Sequence, residues 1–332
     1  MRFRRTQSVH LVLLVLLVVT LHAQEKRDSS RHMIQMVSVD KGVSLEVLDW
    51  GGTERPLVLL TGLADTAHIF DEFASKLTAL YHVYGITRRG RGASGAPEAN
   101  ATNYSADRLG KDVLTVIDTL HLIKPVIAGH SMAGEELSYI GSHHPEKVAG
   151  LIYMEAGYPY ALYRADGELE LDSIELRNQL RQFINGYAME PVKDYDNLIA
   201  NLQRVEKEVK EQQKNTGNLP STPISPRMTP DLFAIMEGRE RFTTIHAPAL
   251  VIFADEDDSG RVSRDDPQSG ASTVRQALEN RNREQQILAF ERQVPSAHVI
   301  RIPHATHYVF RSNEADVLHE MNTFIATLPS AN

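Results

Sequence analysis

The sequence predicts an α/β fold, a mostly parallel sheet covered by helices on both faces. Strand and helix signals alternate with short connections over residues 34–157 and resume after residue 243. The runs Leu57-Val58-Leu59-Leu60, Pro125-Val126-Ile127 and Ala249-Leu250-Val251-Ile252-Phe253-Ala254 are apolar throughout rather than alternating. That is the signature of strands buried on both faces. Residues 158–243 break the alternation with polar, helix-patterned chain and no strong strand, and they read as a helical lid inserted in the core. The expected division is a core of 34–157 and 244–328 around that insertion. The 332 residues suffice for one large domain with insertions, or two small ones.

In chain order, 34–39 and 43–50 read as an antiparallel hairpin turning at Asp40-Lys41-Gly42. Gly51-Gly52-Thr53 with Pro56 turns into the strand 57–60, which ends in the loop Thr61-Gly62-Leu63-Ala64-Asp65. Ile69, Phe73, Leu77 and Leu80 set a helix over 68–80, and a strand follows over 81–86. Arg88-Arg89-Gly90-Arg91-Gly92-Ala93-Ser94-Gly95 superficially resembles a phosphate cradle, but it lacks the Lys-Ser/Thr ending and reads as a structural turn. Leu109, Val113, Val116, Ile117 and Leu120 share one face of a helix over 104–120. After the strand at 125–127, a helix runs to about His143 and stops near Pro145. A strand over 148–154 ends in Glu155-Ala156-Gly157. Helices are expected over 174–187 and 195–214, with a Pro-rich connector over 219–230. The strand 249–254, a polar loop over 259–270, a helix over 272–292, a strand over 297–302 and a helix over 314–328 complete the fold.

Composition excludes some functions. A hydrophobic fraction of 42% and a charged fraction of 23% are those of an ordinary globular protein. A net charge of -8 argues against nucleic acid as a partner. With no cysteine there are no disulfides, no thiolate catalysis and no Cys-ligated metal. Arg2, Arg4 and Arg5, an apolar run over 11–21 and the small Ala23 have the order of a signal peptide occupying 1–23. The run is short for a bilayer span, so cleavage after Ala23 and an exported, periplasmic or secreted protein are expected, with no stable membrane span afterwards. An uncleaved anchor is the other reading.

The chemistry centres on Gly129-His130-Ser131-Met132-Ala133-Gly134. G-x-S-x-G between a buried strand and a helix makes a sharp turn that pushes the serine hydroxyl out at the end of the sheet. The glycines let strand and helix pass closely, and helix N–H groups then face the position of an oxyanion. An ordinary Gly-rich turn would share the pattern without the context. In such a site the loop after the 57–60 strand supplies a second donor, which makes the Leu63 and Met132 N–H groups the expected oxyanion pair. Serine needs a base, and His307 lies in a loop just after the last core strand and after the nucleophile in chain order. His304 lies nearby, only two residues past the strand end.

With these residues the chain resembles the α/β-hydrolase superfamily. The elbow around Ser131, the acidic cluster after 249–254, and Pro303-His304-Ala305-Thr306-His307 carry the match, which spans about 34–328 without the lid. The resemblance implies an eight-stranded, mostly parallel sheet and hydrolysis through an acyl-enzyme. In most relatives the acid lies about three residues past the strand that follows the lid, which is Asp257 here, with Asp255 and Asp258 as neighbours. This chain has Ala254 where such relatives often have Gly. Some members place their acid at the end of the strand after the elbow helix, where Glu155 stands as the alternative. Relatives that open epoxides or displace halide use a carboxylate nucleophile, so Ser131 implies ester, thioester or amide chemistry. The expectation is a serine hydrolase acting on a small-molecule acyl substrate, a carboxylic ester first. An aminopeptidase and a cofactor-free perhydrolase are rivals on the same triad, and an exported binding protein with an inactive fold is the non-enzyme alternative. No organic cofactor or metal is implied.

Overall fold

The structure is a computed structural model, and it describes residues 31–164, 176, 179–180, 183–184, 193–216, 229–255 and 269–329. Eight strands form one sheet: β1 (Met33–Asp40), β2 (Val43–Gly51), β3 (Pro56–Leu60), β4 (His82–Ile86), β5 (Val126–His130), β6 (Gly150–Met154), β7 (Ala249–Asp255) and β8 (Ala297–Pro303). Their spatial order is β1-β2-β4-β3-β5-β6-β7-β8. The β1–β2 and β2–β4 pairs are antiparallel, and every pair from β4 to β8 is parallel. The expected fold class, an eight-stranded and mostly parallel sheet, is the one observed.

The apolar runs are buried on both sides because successive side chains enter different cores. Val58 and Leu60 join Ile127, Tyr153, Val251 and Phe253 in one cluster, whereas Leu57 and Leu59 join Val126, Ile152, Leu250 and Ile252 in the other. Helix α1 (Asp71–Leu77) covers the second face, with Phe73, Ala74 and Leu77. Helices α2 (Ala106–Thr119) and α3 (Gly134–His143) cover the first. Between β6 and β7 lie α4 (Lys193–Thr216) and α5 (Pro230–Glu237). Among the described residues of 158–243 there is no strand, as expected. Helix α6 (Ser269–Gln293) adds Ile287 and Phe290 to the first face, and α7 (Glu314–Thr327) adds Val317 and Met321 to the second.

Two helices differ from the spacing-based expectation. Residues 68–80 divide into a 3-10 turn over Ala67–Phe70 followed by α1. The helix expected over 104–120 is interrupted at Ser105, which is extended (φ -65, ψ 156) and whose side chain accepts a hydrogen bond from the Arg108 N–H at 3.2 Å. A serine N-cap starts α2 afresh after the single turn Ala101–Tyr104, a signal that apolar periodicity alone does not carry. The 174–187 helix, the 219–230 connector and the 1–23 leader fall wholly or largely outside the described residues. Among the described residues no helix is long and apolar enough to cross a membrane.

Strand order reverses at β3, since β4 lies on one side of it and β5 on the other. In open parallel sheets ligands bind outside the carboxyl ends of the strands at such a switch point. The loop after β3 and the turn after β5 both project there.

Candidate active site

Ser131 follows the last residue of β5 and has φ +51, left-handed backbone that a non-glycine residue adopts only under constraint. The constraint is close packing. A Cβ on Gly134 would lie 2.0 Å from the Ala156 carbonyl oxygen, so only glycine lets the start of α3 pass the end of β6. A Cβ on Gly62 would lie 3.1 Å from His130 Nδ1 and 3.5 Å from Ser131 Cβ, which places the β3 loop directly beside the serine.

The Ser131 hydroxyl donates to His307 Nε2 at 2.9 Å. Their partnership spans 176 residues of sequence and is closed by the loop after β8. On the other side of the ring, His307 Nδ1 lies 3.3 Å from Glu155 Oε2. Among the described residues the carboxylate against His307 is Glu155, the alternative acid, and the structure does not describe Asp257, the first expectation. Asp257 and Asp258 lie outside the described residues, and Asp255 at the end of β7 is exposed. The physical reason is visible at the end of β6. Glu155 has φ +48 and is almost wholly buried, and its Oε1 accepts the Ala254 N–H at 2.6 Å. The end of β7 thus contributes a backbone donor to Glu155. Tyr158 Oη donates to Glu155 Oε2 at 2.5 Å. Burial pushes the Glu155 carboxyl up, but the hydrogen bonds from His307, Tyr158 and Ala254 and the charge of Arg283 outweigh it and hold the carboxyl below its ordinary value.

The predicted oxyanion residues Leu63 and Met132 meet in one apolar cluster with Tyr104, Leu109, Ala234 and Ile235. The carbonyls of the Leu63 loop are held on the far side by the basic turn after β4. Arg88 donates to the Thr61 and Gly62 carbonyls at 3.0 and 3.1 Å, and Arg91 Nε donates to the Leu63 carbonyl at 2.8 Å. Arg88 Nε pairs with Glu136 at 2.6 Å, both Arg89 contacts to Asp112 are 2.6 Å, and Arg91 pairs with Asp231 of α5. These arginines build the loop, as the structural-turn reading expected.

Sequence reasoning passed over three neighbours. His130 Nε2 lies 2.8 Å from the His307 carbonyl oxygen, and a carbonyl only accepts, so His130 is the donor. Burial pushes its pKa down to about 4, so the ring is neutral at pH 7 and holds the His307 loop through one fixed tautomer. Tyr158 and Tyr160 follow β6, one bonded to Glu155 and the other in hydrogen-bonding contact with Ser131. Burial first, and the neighbouring Tyr158 next, push the Tyr160 phenol well above its ordinary value, so it stays protonated. His130 could have been suspected from its place beside Ser131, whereas the two tyrosines lie in a segment whose course sequence does not set. His304 has φ +57 and turns the chain between β8 and the His307 loop.

The sequence profile of the alpha/beta hydrolase fold matches residues 55–311, well over half of the chain. The chain belongs to the α/β-hydrolase family. It is 30% identical over 151 residues to the AB hydrolase superfamily protein YisY of Bacillus subtilis, a match covering 42% of this chain and 54% of that protein. The chain thus spans about half the length of that relative. Among solved α/β-hydrolase structures, the Bacillus megaterium epoxide hydrolase superposes with a TM-score of 0.54 at 18% identity, covering 88% of this chain and 100% of that one. The bromoperoxidase from Bacillus anthracis gives a TM-score of 0.54 at 18% identity, covering 89% and 100%. At such identities the two structures share the fold of this α/β-hydrolase and nothing finer.

Proposed function

We propose that this α/β-hydrolase is a serine hydrolase that cleaves an acyl bond, a carboxylic ester first, through Ser131, His307 and Glu155. One observation carries the reading: the 2.9 Å contact from the Ser131 hydroxyl to His307 Nε2, with Glu155 at 3.3 Å from the opposite ring nitrogen. His307 takes the proton as Ser131 Oγ attacks the acyl carbonyl, and Glu155 steadies the imidazolium that forms. The developing oxyanion is held by the Met132 N–H of the elbow and the Leu63 N–H, the latter on a loop whose carbonyls Arg88 and Arg91 occupy. His307 then returns the proton to the leaving alcohol, and water, activated by the same ring, releases the acyl group. The carboxylate nucleophile of epoxide opening is missing here because the elbow residue is Ser131. We read 158–243 as a lid over the pocket. The packing of Ala234 and Ile235 of α5 against Met132 supports this. We also read 1–23 as a signal peptide of an exported protein, from its basic head and apolar run.

A fluorophosphonate probe is expected to label Ser131 on the folded chain, and Ser131→Ala is expected to abolish labelling. The same variant should lower turnover of a p-nitrophenyl ester on the order of 10⁶-fold while leaving the circular dichroism spectrum unchanged. A folded wild-type chain that takes up no label would favour the binding-protein alternative. Faster turnover of aminoacyl-nitroanilides than of esters would move the substrate to peptides. Edman sequencing of the exported chain should begin at Gln24.

A further inference from the structure

Away from the triad, three segments converge on one cluster. His32 precedes β1, His68 sits in the 3-10 turn over Ala67–Phe70, and Asp71 opens α1. One ligand atom from each lies within 4.8 Å of the other two. His68 Nδ1 is 3.2 Å from Asp71 Oδ2, and His32 Nδ1 is 3.6 Å from Asp71 Oδ1. For bonds of about 2.0–2.1 Å, ligand atoms around a tetrahedral ion stand about 3.3 Å apart, so each imidazole already lies near one edge length from an oxygen of the Asp71 carboxylate.

The surroundings supply what a metal site needs beyond its ligands. With Nδ1 turned toward Asp71, His68 turns Nε2 toward the buried Glu46, whose Oε1 is 3.9 Å away. Glu46 is itself fixed, since its Oε2 accepts the Thr87 hydroxyl at 2.7 Å. A carboxylate behind a ligating imidazole orients the ring and raises its basicity. Trp50 Nε1 donates to Asp71 Oδ1 at 3.2 Å, which orients the carboxylate too. The His32 ring packs against both His68 and Trp50, with centroids 5.1 and 5.9 Å away. Two imidazoles with one carboxylate form an intermediate-softness donor set that suits zinc rather than calcium or magnesium. The Asp71 ligand and the Glu46 carboxylate together carry a charge of about -2, which balances a divalent cation.

We propose that His32, His68 and Asp71 bind one Zn²⁺ ion, with Glu46 as the positioning carboxylate behind His68, and that the ion ties the segment ahead of β1 to the start of α1. No triad residue takes part. The test uses the full chain stripped with a chelator and titrated with Zn²⁺ by calorimetry, together with thermal melts and Co²⁺ absorption spectra. We expect one ion per chain, a melting temperature that rises with Zn²⁺, and a tetrahedral Co²⁺ band. His32→Gln and His68→Gln are each expected to weaken binding at least 100-fold and remove the band, and Glu46→Gln to weaken it about 10-fold. If Glu46→Gln or His68→Gln fails to fold, His32→Gln decides alone, because that side chain lies ahead of the first strand. No saturable binding by the wild-type chain, or the same affinity and spectrum in His32→Gln, would overturn the site.

Discussion

Two buried glutamates, one in the helix that follows Ser131 and one just past the next strand, have surroundings that send them in opposite directions. Glu155 ends β6 and has three hydrogen-bond partners, the Ala254 N–H, the Tyr158 hydroxyl and the His307 ring. Its carboxyl is held below the ordinary value although burial pushes it up. Glu135 lies in the first turn of α3, is 0% exposed, and neither of its carboxylate oxygens has a hydrogen-bond partner among the described residues. Burial first, and the adjacent Glu136 next, push its carboxyl up to about 8. Burial therefore does not make a triad acid. The donors do, and of these two glutamates Glu155 is the one that has them.

The largest effect is expected from neutralising the carboxylate that has donors. Glu155→Gln should lower kcat about 10⁴-fold with the fold intact, because the amide can no longer stabilise a charged His307. Asp257→Asn should change it less than about threefold. A large loss in Asp257→Asn with a small one in Glu155→Gln would return the acid to the end of β7. His130→Asn removes the ring that donates to the His307 carbonyl. A fall in kcat of about 10–100-fold with KM nearly unchanged is expected, since His307 would lose its position but not its chemistry. Equal changes in both constants would mean that the loop is held elsewhere. Tyr158→Phe deletes one of the three partners of Glu155 and should cost about fivefold in kcat, the worth of about one hydrogen bond. An unchanged rate would show that the other two partners suffice.

Much of this was legible in the chain. Continuous apolar runs identified the parallel strands because each lies in two cores, and the strand–G-x-S-x-G–helix context that singles out Ser131 is the one observed. His307 followed from its place after the last strand. The acid was not legible, because Glu155 and Asp257 both stand at or just past strand ends, and sequence does not show which end folds back toward the histidine. The +48° φ of Glu155 and the Ala254 N–H bond favour Glu155, and neither has a one-dimensional signature. His130 and Tyr158 were missed for a related reason. Their roles depend on the His307 loop arriving from 177 and about 150 residues away, and only tertiary contact assigns a partner to a buried polar group.

The carboxyl without donors gives the subtlest prediction, since it should not touch catalysis at all. Glu135 has a folded value of about 8 against an ordinary value of 4.5. Between those two pH values the folded chain keeps a proton that the unfolded chain has lost, so stability is fully present below 4.5 and drains away as pH rises to about 8. The slope from this one group is on the order of 1 kcal/mol per pH unit. Glu155, held low, works the other way and loses its contribution only as pH falls through its depressed value. In Glu135→Gln the proton is no longer needed. The variant should match the wild type in denaturant melts at pH 4, gain on it steadily toward pH 8, and hydrolyse esters at the wild-type rate at pH 7. Parallel stability curves for the two proteins would mean that Glu135 finds donors in solution, and the contrast between the two glutamates would then be one of degree.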